Sequence, residues 1–134
     1  MQERERDRLP PALDAALDEG RTIDVARYRA ALAARDRARA AFAPWLDGFD
    51  AVLAPAATGP APRGLATTGD PSCSTLWSLL GAPALSLPVG RVGGLPLGLQ
   101  LAALPDADDR LLDAAAWCES RLAAGRSGLA GSDA

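Results

Sequence analysis

The chain contains no histidine, no lysine and no asparagine, and all 14 of its cationic side chains are arginine. Each absence removes a chemistry. Without His there is no imidazole base, no Ser-His-Asp triad and no His-bearing metal site. Without Lys there is no Ser-Lys dyad, no Schiff base and no phosphate-binding P-loop. The abundance of Ala, Arg, Gly and Pro resembles GC-rich coding, which accounts for part of the Lys and Asn depletion without a functional cause. Cysteine is scarce: Cys73 and Cys118 lie far apart. Two such residues make no zinc site and define no disulfide scaffold, so both read as reduced core thiols. No apolar run reaches the ~18 residues of a membrane span. The charged start Met1-Gln2-Glu3-Arg4-Glu5-Arg6 is not followed by the apolar stretch of a secretory signal. The expectation is a cytoplasmic protein with no membrane partner.

What remains is enough to fold. The 134 residues are 49% hydrophobic and 23% charged, which excludes a disordered chain and gives one small domain a real core. The net charge of −3 is too near neutral to mark a nucleic-acid binder.

Residues 8–18 read as a helix, with Leu9, Leu13 and Leu17 spaced by four and Gly20 as the stop. Thr22 then caps a longer helix to about Ala43, closed by Pro44. Val25, Tyr28 and Leu32 share its apolar face, and Arg35 and Arg39 fall on the same face, which calls for carboxylate partners elsewhere. The other arginines spread around the wheel instead of forming the stripe that a nucleic acid would need. Asp50-Ala51-Val52-Leu53-Ala54-Pro55 reads as a short buried strand. Residues 55–71, rich in Pro, Gly, Ala and Thr, form a long loop of the kind that lines sites. Asp70-Pro71 starts a helix to about Leu80, ended by Gly81. Ala84 to Val89 and Leu97 to Leu101 read as two strands of a hairpin turning at Gly90 to Gly94. Asp106 caps a last helix over about 107–124, with Leu111, Ala115, Cys118 and Leu122 on its face and Gly125 at its end. The chain divides into a folded part, 1–125, and a tail, 126–134, expected to be disordered. Three short strands under four helices make an α/β or α+β layer whose apolar faces exceed the available cover.

Isolated chemical motifs are weak. Asp106, Asp108 and Asp109 complement a helix dipole. Gly90-Arg91-Val92-Gly93-Gly94 precedes a strand, so no helix N-terminus points at a ligand there. No serine sits in a nucleophile elbow.

Several blocks in order carry a resemblance. They are Phe49-Asp50-Ala51-Val52-Leu53-Ala54-Pro55-Ala56, Gly69-Asp70-Pro71, then Trp77-Ser78-Leu79-Leu80-Gly81-Ala82-Pro83-Ala84-Leu85-Ser86-Leu87-Pro88-Val89-Gly90, and Gly94-Leu95-Pro96-Leu97-Gly98-Leu99-Gln100-Leu101. Together they resemble the C-terminal region of the amidase signature family, over roughly residues 5–124. The resemblance implies the C-terminal part of an α/β fold, with helices flanking a partial mixed sheet. It implies amide C–N hydrolysis by two serines and a lysine, with no metal or organic cofactor. The Gly/Ser-rich signature and the lysine have no counterpart in this sequence, so no catalytic residue carries over. At position 78 a serine stands where many relatives carry asparagine.

The same resemblance makes the 56–77 stretch a wall of the acyl-side pocket, with Asp70, Ser74 and Trp77 as candidate wall residues. Each has a plainer reading: a helix cap, a surface hydroxyl and core packing. The expected partners are the missing N-terminal amidase part, or a second copy, with a small-molecule amide in the complete enzyme. The other readings are a stand-alone, non-catalytic binding or scaffold domain and one subunit of a split amidase.

Overall fold

The computed structural model describes residues 9–129. They fall into two compact units, one ending at Arg37 and one beginning at Ala38.

The first unit is helical. Helix α1 spans Pro11–Arg21 and helix α2 begins at Val25, running to Trp45 in the second unit. Gly20 does not stop α1, which passes through it to Arg21. A glycine inside a helix costs only about 1 kcal/mol against alanine, too little to end one by itself. Thr22 closes α1 instead of opening α2: its hydroxyl donates to the Glu19 carbonyl at 2.7 Å. The cap of α2 is Asp24, whose Oδ1 accepts the Arg27 N–H at 2.7 Å. A carboxylate oxygen there satisfies one of the orphan donors of the first turn. No residue of α1 is buried, and Leu13 is exposed.

The second unit holds the last turns of α2 and a sheet of β1 (Val52–Pro55), β2 (Ala84–Val92) and β3 (Leu95–Ala102). It also holds α3 (Ser72–Leu80) and α4 (Asp108–Leu129). Pro44 does not stop α2 at once; the helix continues to Trp45 and the Leu46 N–H still reaches the Phe42 carbonyl at 3.0 Å. Proline lacks the N–H that would bond back to the preceding turn, and the helix ends one residue later at Trp45. The strand order is β1-β3-β2. Both pairings are antiparallel, so β1 and β2 run parallel to each other on either side of β3. The hairpin turns at Gly93-Gly94, both at positive φ, with Val92 opposite Leu95. Two such residues suit a tight primed turn that glycine adopts without strain. The register of β2 shifts between Pro88 and Gly90, leaving Val89 as an extra residue.

Alternation along the strands sends side chains to two layers. On one face Phe42 and Leu46 of α2 meet Trp77 and Leu80 of α3 over Ala102, with Val52 and Ala54 of β1 packed against them. On the other face Leu111 and Ala115 of α4 meet Leu87 and Leu101, with Leu85, Cys118 and Leu122 alongside. Each buried leucine contributes roughly 1.5–3 kcal/mol relative to leaving it exposed. The sequence-based expectation of an α/β piece with helices on a partial sheet holds. Both cysteines are free and half-buried.

Three further expectations change. Asp106 does not cap the last helix; it takes φ 62°, a left-handed conformation that Asp tolerates better than most residues. The Ala107 carbonyl instead accepts the Leu111 N–H at 3.0 Å, and α4 starts at Asp108. Gly125 does not end α4, which runs to Leu129. Of the expected tail 126–134, residues 126–129 are therefore helical, and 130–134 lie outside the described residues. Arg35 pairs with its own neighbour Asp36, Nη2 to Oδ1 at 2.8 Å, instead of a distant carboxylate. Arg39 is exposed. Neither guanidinium is buried, so the cost that demanded a distant partner does not arise.

Candidate functional site

The start of α3 is set by Asp70, whose Oδ1 accepts the Ser72 N–H at 2.8 Å. Pro71 between them has near-helical torsions, φ −80° and ψ 0°, and its carbonyl accepts the first helical bond from the Thr75 N–H at 3.0 Å. Hydrogen bonding from Ser72, its N–H foremost and its side chain next, holds the Asp70 carboxyl below the usual carboxylate range. The Ser74 hydroxyl donates to the Pro71 carbonyl at 3.1 Å, and the Thr75 hydroxyl does so at 2.8 Å. Asp70 and Ser74 are both exposed.

Trp77 points the other way. It is buried in the first core layer, its ring centroid 6.1 Å from that of Phe42. Its Nε1 donates to Oε1 of Gln100, a buried polar side chain on β3, at 3.0 Å. The structure thus brings Asp70 and Ser74 to one exposed helix start and sets Trp77 apart, inside. At the far end of α3, Gly81 takes a left-handed C-cap, φ 67°. A Cβ there would stand 2.8 Å from Nη2 of Arg39, so the guanidinium lies against the end of the helix, where cations are favoured.

Below the long loop, the chain leaves β1 through a tight contact. The Ala56 N–H donates to the Gly98 carbonyl at 3.1 Å. A Cβ on Gly98 would meet Ser86 Oγ at 2.5 Å and the Ala56 methyl at 2.9 Å. Glycine is the one residue that lets the two neighbouring strands close over β3 at this point. Gly98 and Gln100, two positions of the quoted Gly94–Leu101 block, thus have packing reasons.

Two concavities occur away from α3. A groove of about 780 Å³ lies between the start of β1 and α4, lined by Phe49, Leu53, Leu101, Trp117 and Cys118. Asp50, Arg110 and Asp113 also line it, with Asp50 Oδ1 and Arg110 Nε 3.9 Å apart. A smaller one of about 310 Å³ lies between Arg63 of the loop and the Gly93-Gly94 turn. Neither is lined by Asp70, Ser74 or Trp77. The sequence reading missed the groove, although Trp117 signalled it: a large aromatic outside the Leu111–Leu122 stripe. Among the described residues no three His, Cys, Asp or Glu side chains gather as metal ligands. No helix among them is long and apolar enough to cross a membrane.

A three-stranded antiparallel sheet with helices on both faces, the indole of one helix bonded to a glutamine of the central strand, defines an α/β domain portion. The model of the Amidase family matches residues 2–112, and the chain belongs to that family. A solved structure described as "Crystal structure of amidase" is similar with a TM-score of 0.79 and 31% identity, over 90% of this chain and 30% of that one. A glutamyl-tRNA(Gln) amidotransferase subunit of Pseudomonas fluorescens (strain SBW25) is 41% identical over 73 residues, 49% of this chain and 15% of that protein. The chain thus spans less than a third of either relative.

Proposed function

We propose that this chain is the C-terminal structural segment of an amidase-signature hydrolase and does not catalyse amide hydrolysis alone. The observation that carries the reading is a family match over most of the chain in a sequence without a single lysine or histidine. A hydrolytic serine needs a base to take its proton. Here the Ser74 hydroxyl is engaged with the Pro71 carbonyl, and the sequence holds no lysine or histidine to take its proton. The segment's contribution is to complete the sheet and to wall the acyl-side pocket of the assembled enzyme, whose substrate is a small-molecule amide. Asp70 and Ser74 form the exposed part of that wall, and Trp77 holds it from behind through Gln100. Its working compartment is the cytoplasm, a reading supported by two unpaired cysteines. The remaining amidase portion is its partner, and neither metal nor organic cofactor takes part.

The test is a panel of aryl and aliphatic amides offered to the purified 134-residue chain. No turnover is expected on any of them. Enzymatic turnover, with contamination excluded, overturns the reading, because it requires a base that this sequence does not supply.

A further inference from the structure

From Ala56 to Pro71 the backbone runs between β1 and α3 without a helix or a strand. Its two ends are tied down. Ala56 bonds to the Gly98 carbonyl, the Gly69 N–H bonds to the Thr67 hydroxyl, and Asp70 caps α3. Between these ties, residues 57–66 make no hydrogen bond among the described residues. Residues 60–68 are all exposed, Leu65 fully so. Apart from chain neighbours, no atom lies within 4 Å of where a side chain would start on Gly59 or Gly64. Arg63 sits inside this run, across the small concavity from the Gly93-Gly94 turn, with no hydrogen bond or ion pair among the described residues.

The sequence makes this position singular. An endopeptidase with a carboxylate in its specificity pocket accepts lysine or arginine, and this chain has no lysine. Every other described arginine belongs to a helix or to β2. A bond inside such an element reaches a protease only after local unfolding, whereas exposed loops of small residues are nicked directly. Arg91 is held further, by pairing opposite Pro96 and by its Nη1 on the Gly94 carbonyl at 2.8 Å. Arg21 ends α1, but the next N–H, that of Thr22, is bonded to the Glu19 carbonyl. After Arg63 comes Gly64, at φ 86°, which has no side chain to obstruct a cleft and can swing to an extended conformation without strain.

We propose that the Arg63–Gly64 bond is the site at which an arginine-directed serine endopeptidase cuts the folded chain, and that the cut chain stays together as a two-piece unit. Water is the second reactant: the C–N bond breaks, Arg63 ends as a carboxylate and Gly64 begins as an ammonium group. The site is independent of the amidase reading. The piece ending at Arg63 carries Phe42, Leu46 and β1, and the piece beginning at Gly64 carries Trp77, Leu80 and β3. Their shared core layer and the Val52–Pro55 ladder on β3 lie outside the loop, so the cut removes none of these contacts.

The experiment is limited digestion of the 134-residue chain with trypsin under native conditions, read by mass spectrometry and gel filtration. Between Arg21 and Arg121 the first cut should fall at Arg63, faster than at any other arginine by about tenfold or more. The two pieces should elute together and part in urea, and their melting temperature should fall on dilution while that of the uncut chain does not. Arg63→Gln should abolish this cut and leave the melting temperature within about a degree, as expected for an exposed side chain without a partner. A first cut at Arg21 or Arg91, even cutting at all arginines, or no cut between Arg21 and Arg121 in a chain that melts cooperatively overturns the site. Pieces that separate without urea overturn the two-piece unit.

Discussion

The indole Nε1 of Trp77 donates a hydrogen bond to Oε1 of Gln100 at 3.0 Å, joining α3 to the central strand inside the core. Replacing Trp77 by Phe keeps an aromatic ring but strands a buried acceptor, which should cost about 1–3 kcal/mol beyond the loss of packing. Gln100→Leu combined with Trp77→Phe should be less destabilising than the sum of the single changes. Urea denaturation of the four proteins in a double-mutant cycle measures the coupling, and simple additivity would show that the bond contributes nothing.

Gly98 should not accept a side chain. Gly98→Ala sets a methyl against Ser86 Oγ and the Ala56 methyl, both closer than Cβ atoms normally come. A destabilisation of about 1–3 kcal/mol is expected from this overpacking. Adding Ser86→Gly should recover part of it, because Ala56 still crowds the site. Denaturation midpoints of the single and double variants check the order.

The Asp70 carboxylate should make the start of α3 sensitive to acid. Its folded pKa is lowered by hydrogen bonds from Ser72, so its contribution is present above the unfolded value of about 3.9 and is lost as pH falls through the folded value. Asp70→Asn keeps an acceptor for the Ser72 N–H without the titration. The difference in melting temperature between the two proteins should therefore change below about pH 4 and stay flat above it. A difference independent of pH would remove Asp70 from this role.

The Asp50–Arg110 pair should matter little to the isolated chain. The two groups are 3.9 Å apart and mostly exposed, so solvent and salt screen their attraction. Arg110→Ala should shift stability by less than about 0.5 kcal/mol, and the shift should shrink further in high salt. A larger loss would show that Arg110 supports packing near the groove.

Much of the architecture was legible because its signals are local and strong. The Leu97, Leu99, Leu101 alternation, the Gly93-Gly94 turn and Asp70-Pro71 each constrain the backbone directly, and the strands and α3 lie close to where these residues put them. Helix ends were less legible. Gly20, Pro44 and Gly125 read as stops, yet each helix runs past its residue, by a single position at Gly20 and Pro44 and to Leu129 at Gly125. Thr22 and Asp24 both carry capping side chains, and sequence alone does not say which helix a threonine between two helices will serve. The partner of Trp77 was hidden for another reason. Gln100 alternates with leucines, which assigns it to the face opposite theirs, but only the packing of α3 on that face makes the position buried. Asp70 and Ser74 were placed at the helix start correctly, whereas the groove depends on where α4 stops over the sheet, a tertiary fact.

The bulge at Val89 gives the sheet a direction of growth. Pro88 lacks an N–H and the extra residue beside it breaks the spacing of the outer border of β2, so a newcomer finds no regular ladder there. The opposite border, along β1, is regular as far as Pro55. A ribbon open on one flank and spoiled on the other can be finished by a single addition but cannot propagate into a fibre. Copies of this chain should therefore resist stacking into extended aggregates even while one flank stays receptive.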